Sequence, residues 1–165
     1  AGLVGALQRI GQWQPGRDAN LSLRPLFRLL ALIFEKPLRS EGIVLSLPGS
    51  CTYETSVSAG DLFLVVCTLM QRGRRILKHL PADPQTERRL SIEWKILSGE
   101  HPRLTLLFAN SSGTWEDDSP SPIWPSLPFC SHLLQLQGAS LTLETASASR
   151  DSRLLLDLPC RSCAA

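Results

Sequence analysis

Few side chains in this sequence stand close enough together to do chemistry. Cys160-Arg161-Ser162-Cys163 has the CxxC spacing of redox pairs and zinc sites. A zinc site takes four ligands, and neither a second CxxC nor a nearby histidine supplies the other two. The pair therefore reads as part of a loose C-terminal tail, residues 160–165, with an oxidised pair or intermolecular disulfide as the alternative. His79, His101 and His132 lie far apart and read as surface or turn histidines. No serine stands in a nucleophile-elbow setting, and no Ser-His-Asp or Cys-His arrangement stands out. The densest charge is Arg72, Arg74, Arg75 and Lys78, followed by Arg88 and Arg89. Such cations suit a solvated helix C-terminus, or else an acidic protein surface or anionic ligand. Aromatics do not interleave with them, which excludes a single-stranded nucleic-acid platform.

The frame that must position these residues is a 165-residue chain, 43% hydrophobic, with 31 leucines. That is enough for one domain with its own core and too apolar for wholesale disorder. The longest apolar run, Leu62–Leu69, is broken only by Thr68. It is far short of the roughly 20 residues of a membrane helix. No charged stretch precedes an apolar one at the start, so no signal peptide is read, and the chain looks like a piece of a longer one. A net charge of +2 is too small to imply nucleic acid. Five cysteines, Cys51, Cys67, Cys130, Cys160 and Cys163, fit reduced buried thiols and a cytoplasmic setting better than a disulfide framework.

Leu3, Leu7 and Ile10 predict a short amphipathic helix over 1–14, ended by Pro15-Gly16. Leu21-Ser22-Leu23 alternates as an edge strand, and helical periodicity then runs over about 24–40 with Pro37 kinking the last turn. Ile43–Leu47 reads as a strand. Ser58 and Asp61 have capping-box spacing ahead of a helix to about His79. Strands are expected over 90–96 and 104–108 with a turn at 98–102, then a long loop over 110–128. A helix over about 127–137, capped by Gly138, precedes a terminal hairpin of 141–144 and 154–158. No internal repeat is visible. Helices alternating with antiparallel pairs predict one sheet with its helices packed on one face.

This order of elements resembles the ATP-binding catalytic domain (HATPase, Bergerat-type) of bacterial sensor histidine kinases. Leu23-Arg24-Pro25-Leu26-Phe27 to Gly42-Ile43-Val44-Leu45 resembles that domain's opening helix and strand, and Asp61 to Leu77 its central helix. Leu133 to Leu141 resembles its last helix and glycine stop, and Ser152–Leu158 its closing strand. The resemblance implies an α/β two-layer sandwich over 19–159, a mixed, mostly antiparallel sheet with its helices packed on one face, and residues 1–18 as the tail of a preceding dimerisation helix and linker.

The resemblance also implies a nucleotide cleft, and its boxes are degenerate. The family's central helix carries an Asn pair at i, i+4 towards phosphate and magnesium, and the matching positions are Cys67 and Gln71. Thiol sulfur is a poor magnesium ligand, and glutamine is one methylene too long for its tight octahedron. The first glycine box, an Asp followed by two glycines, is matched by Asn110-Ser111-Ser112-Gly113-Thr114. Asn110 takes the Asp position, Ser112 and Thr114 take the glycine positions, and Gly113 is a register-shifted survivor. The second box matches Trp124-Pro125-Ser126-Leu127, which has no glycine and, at Pro125, no N–H. Trp115 and Trp124 flank the stretch that replaces the family's mobile lid, and plug the empty cleft or meet a partner.

The reading is a vestigial cleft of Cys67, Gln71, Asn110, Ser112, Gly113, Thr114, Trp124 and Ser126, with no catalytic residue, metal site or cofactor. The implied role is a pseudokinase-like module of two-component signalling. Its partners would be a response regulator, a kinase, or a second copy through the preceding helices. The alternative is a divergent active domain, in which Gln71 helps hold magnesium, Asn110 reads adenine and Gly113 admits the backbone approach. A third reading reuses the cleft for another small ligand.

Overall fold

The computed structural model describes residues 21–49, 51–81, 87–97, 102–115, 123–145 and 152–162. The N-terminal helix, the turn at 98–101, most of the lid-like loop and Cys163 fall outside them. Seven strands, β1 (Leu21–Ser22), β2 (Ile43–Ser46), β3 (Tyr53–Thr55), β4 (Arg88–Leu97), β5 (Arg103–Asn110), β6 (Ser140–Thr145) and β7 (Ser152–Ser162), form one sheet. Its order is β1-β3-β7-β5-β4-β2, with β6 also paired to β7. Only β2 and β4 run parallel. The remaining pairs are antiparallel, so the expected mixed, mostly antiparallel sheet is what forms.

Among the described residues three helices, α1 (Leu23–Ser40), α2 (Ala59–His79) and α3 (Leu127–Gln135), cover one face. In α1, Leu23, Leu26, Phe27, Leu30, Phe34 and Leu38 recur at helical spacing and are buried. They meet the alternating residues of the sheet, among them Leu90 and Ile92 of β4, Leu106 and Phe108 of β5, and Leu156 and Leu158 of β7. On the opposite face Glu93, Lys95 and Arg153 stand exposed. The sandwich has two layers, as the sequence predicts.

As expected, α1 runs to Ser40 with Pro37 inside its last turn, and the Ser40 hydroxyl donates to the Pro37 carbonyl at 2.7 Å. Two details differ from the sequence reading. The tail is partly strand: β7 runs on to Ser162, and Cys160 pairs with Thr55 of β3. That strand of three residues is too short to show a period. Ser58, in turn, precedes α2 but makes no side-chain cap. Gln137 replaces the box: its Oε1 accepts from Ser58 N–H at 2.6 Å, and its Nε2 donates to Asp61 Oδ2 at 2.7 Å. Both partners are tied to the turn after α3, where Gly138 adopts φ +72 and ends the helix as expected.

Candidate functional site

The first wall of the candidate cleft is a turn at the end of β5. Asn110 is buried opposite Leu90 of β4. Its Oδ1 accepts from the Ser112 N–H at 2.9 Å and from the Ser112 hydroxyl, while its Nδ2 donates to the Thr114 carbonyl at 2.7 Å. Both lone-pair directions of the amide oxygen are thereby engaged within the turn. Gly113 has φ +68, a conformation that glycine adopts without a Cβ penalty. Its carbonyl accepts from both the N–H and the hydroxyl of Ser152, at 2.7 and 3.0 Å, which fastens the turn to the start of β7.

Trp115 follows, and it is 1% exposed. Its ring lies on Gly73 of α2, where an added Cβ would stand 3.1 Å from Cη2 and 2.6 Å from Leu90 Cδ1. Gly73 is therefore the space that admits the indole. Among the described residues the indole N–H has no partner, and such an orphan donor costs about 1–3 kcal/mol. The Trp115 carbonyl accepts from Arg72 Nε at 2.8 Å, so the guanidinium anchors this segment to the helix.

The second wall is α2 itself. Thr68, Gln71, Arg72 and Arg75, spaced i, i+3, i+4, i+7, face Trp124, Pro125 and Leu127. The cavity between them is about 20 Å³, room for a single water. Ser126 serves α3 instead, its Oγ accepting from the Phe129 N–H at 3.3 Å. Cys67 turns into the core, and burial pushes its thiol up to about 12, so it stays protonated at neutral pH. Gln71 does face the cleft, but its Oε1 already accepts a long bond of 3.5 Å from Arg74. Of the residues singled out from sequence, Gln71 and Trp124 line the cavity, while Asn110, Ser112, Gly113 and Thr114 form the adjoining turn. Thr68, Arg72 and Arg75 line it unforeseen, and the signal for them was the same helical spacing read one residue further on.

The basic run is largely committed to internal contacts. Arg74 grips Glu41, just after α1, through two hydrogen bonds of 2.7 Å, and Lys78 lies 3.4 Å from the same carboxylate. The Arg74 guanidinium beside Glu41 holds its carboxyl at about 2. Arg88 donates to the Leu80 carbonyl at 2.8 Å, and Arg89 pairs with Glu87. His79 and His132 are exposed. Among the described residues no three His, Cys, Asp or Glu side chains converge, Cys67, Cys130 and Cys160 are free thiols, and no helix is long and apolar enough to cross a membrane.

The cavity beside α2 is far smaller than a nucleoside triphosphate, and two of the four α2 side chains that line it are guanidiniums. Magnesium requires oxygen ligands, and each i, i+4 pair on the cleft face, Thr68–Arg72 and Gln71–Arg75, includes a guanidinium. The Thr68 hydroxyl donates to the Leu64 carbonyl at 2.8 Å.

No family model and no curated relative matches the sequence. Solved structures match by fold. The catalytic domain of histidine kinase ThkA aligns with a TM-score of 0.53 at 14% identity, covering 86% of this chain and 95% of that one. The histidine kinase domain of a blue-light activated histidine kinase from Erythrobacter litoralis gives 0.57 at 20% identity, over 95% of this chain and 77% of that one. The ATP-binding domain of PrrB from Mycobacterium tuberculosis gives 0.53 at 18% identity, over 88% of this chain and 100% of that one. The chain has the fold of histidine kinase catalytic, ATP-binding domains.

Proposed function

We propose that this chain is a non-catalytic, histidine-kinase-like domain, a regulatory or protein-interaction module of bacterial two-component signalling without normal ATP binding. The fold supplies the signalling context. The small size of the cavity between α2 and Trp124, about 20 Å³, is the observation that supports the rest of the reading. Arg72 sets a fixed positive charge beside the position where the resemblance implies magnesium, and like charges at that range repel. Pro125 has no N–H for a phosphate, and the Asn110 oxygen is held by Ser112 rather than offered to an adenine. These side chains keep the two walls together; they move no proton and hold no reacting group. Function then rests on shape and surface. The partners are a response regulator, an active kinase or the helices that precede such domains, on the cytoplasmic side.

Gln71 favours one competing reading, because its amide does face the cleft. In that case a divergent active domain would use Gln71 for magnesium, Asn110 for adenine and Gly113 for close backbone approach. Thermal unfolding with and without Mg-ATP separates the two. A ligand at a hundred times its dissociation constant stabilises by about 2.7 kcal/mol. The proposal expects no shift at millimolar Mg-ATP, and a clear rise in Tm would establish the alternative. The signalling role has its own test: titrating the chain into a reconstituted kinase and response regulator pair should change the phosphotransfer rate saturably. A rate that stays flat for every pair from the source organism would remove that role.

A further inference from the structure

A second concavity lies away from the cleft, between α1 and the segment that follows β2. It is a groove of about 300 Å³, within the size range of small-molecule sites. Its floor is apolar: Phe27, Leu47, Pro48 and Cys51 line it, with Phe27 and Cys51 almost fully buried. Its remaining polar side chains are two arginines, Arg24 and Arg28, both exposed.

The charges of this groove are unbalanced. Arg24 and Arg28 stand at i, i+4 on one face of α1, an arrangement that costs a few tenths of a kcal/mol for like charges. Neither has an ion-pair partner among the described residues. Two other cations are paired: Arg39 of the same helix bonds Glu35 at 2.5 Å, and Arg74 is clamped on Glu41. The residues just before α1 do not complement the groove, since positions 1–20 carry Arg9 and Arg17 against Asp18 alone. An occupant must bring an anion for the guanidiniums and a short apolar body for the floor. Guanidinium forks bind carboxylate and phosphate oxygens in pairs, and the concave floor suits a compact ligand better than a flat protein surface.

We propose that this groove is a binding site for a small amphiphilic oxyanion, a carboxylate or phosphate head on a short apolar tail. The head sits between Arg24 and Arg28, and the tail lies on Phe27, Leu47 and Pro48. The site is independent of the nucleotide cleft, and it stands whether or not that cleft binds ATP.

The test is calorimetric titration of octanoate, octyl phosphate and the uncharged octanol into the whole chain at low and moderate salt. The expected result is saturable one-to-one binding of at least one anion, with octanol at least about tenfold weaker, a gap of about 1.4 kcal/mol. R24Q/R28Q should weaken the anion about tenfold or more, while R39Q, outside the groove, should leave it unchanged. Both sites are exposed, so circular dichroism should show the variants folded. Octanoate against octyl phosphate identifies the preferred head. Absence of saturable binding for both anions, equal binding of octanol, or an affinity untouched by R24Q/R28Q would each overturn the proposal.

Discussion

The cleft beside α2 and the groove beside α1 are both walled by a helix and an irregular segment, yet one holds about 20 Å³ and the other about 300 Å³. Side-chain size makes the difference. Trp124, Pro125, Leu127 and the long arms of Arg72 and Arg75 line the cleft cavity, and Trp115 packs on Gly73 of the same helix. In the groove the corresponding lining includes Ala31, Pro48 and Gly49. Charge follows the same division. Arg72 is spent on the Trp115 carbonyl, whereas Arg24 and Arg28 keep theirs for solvent or a ligand. A fold that builds a concavity does not thereby keep it open; the residues on its walls decide.

The comparison is broken most severely by emptying the filled region. Trp115→Ala deletes a fully buried indole and should cost about 3–5 kcal/mol, read as a fall in the urea midpoint. A loss below about 1 kcal/mol would mean that the ring is not packed on Gly73. The next effect concerns the clamp between the two helices that wall the two regions. Glu41→Gln removes the charge that Arg74 grips and should cost about 1–2 kcal/mol at neutral pH. The sign with pH follows from a carboxyl lowered to about 2 from an ordinary 4.5. The contribution is complete above pH 4.5 and disappears as pH falls through about 2. The variant should therefore lose part of the acid limb of the wild-type stability curve, and superimposable curves would refute the clamp.

Overfilling is a smaller effect. Gly73→Ala gains about 1 kcal/mol of helix propensity but puts a methyl 2.6 Å from Leu90 and 3.1 Å from Trp115. Overpacking costs about 1–3 kcal/mol, so a net loss near 1 kcal/mol is expected by denaturation, and a stabilised variant would contradict the close approach. The smallest effect comes from filling the open region. Ala31→Leu, into the groove, should stay within about 0.5 kcal/mol of the parent, because free space is waiting for it. A loss of 2 kcal/mol or more, as in a packed core, would show the groove to be closed (about the cost of overpacking).

Much of this architecture is legible in the sequence. The apolar spacing of α1 and α2 and the alternation in β4, β5 and β7 predict the two layers because each element buries one face. The cleft face of α2 is harder to read. Every residue from Val65 to Met70 is buried, so apolarity does not say which of them looks towards the core and which towards the cleft. One position along a helix is a rotation of about 100°. That step separates Cys67, in the core, from Thr68 on the cleft wall. The Gln137 contacts to Ser58 and Asp61 join positions more than seventy residues apart, and no local rule foretells them. The groove escapes the sequence for the same reason, since Arg24 and Leu47 become neighbours only once α1 has docked.

The central claim is that the cleft is shut to nucleotide, and calorimetric titration of Mg-ATP and Mg-ADP into the purified chain at moderate salt tests it most directly. The account predicts no saturable heat for either. A dissociation constant tighter than about 100 µM, near −5.5 kcal/mol, would contradict it and turn attention to Gln71 and Asn110 as ligands.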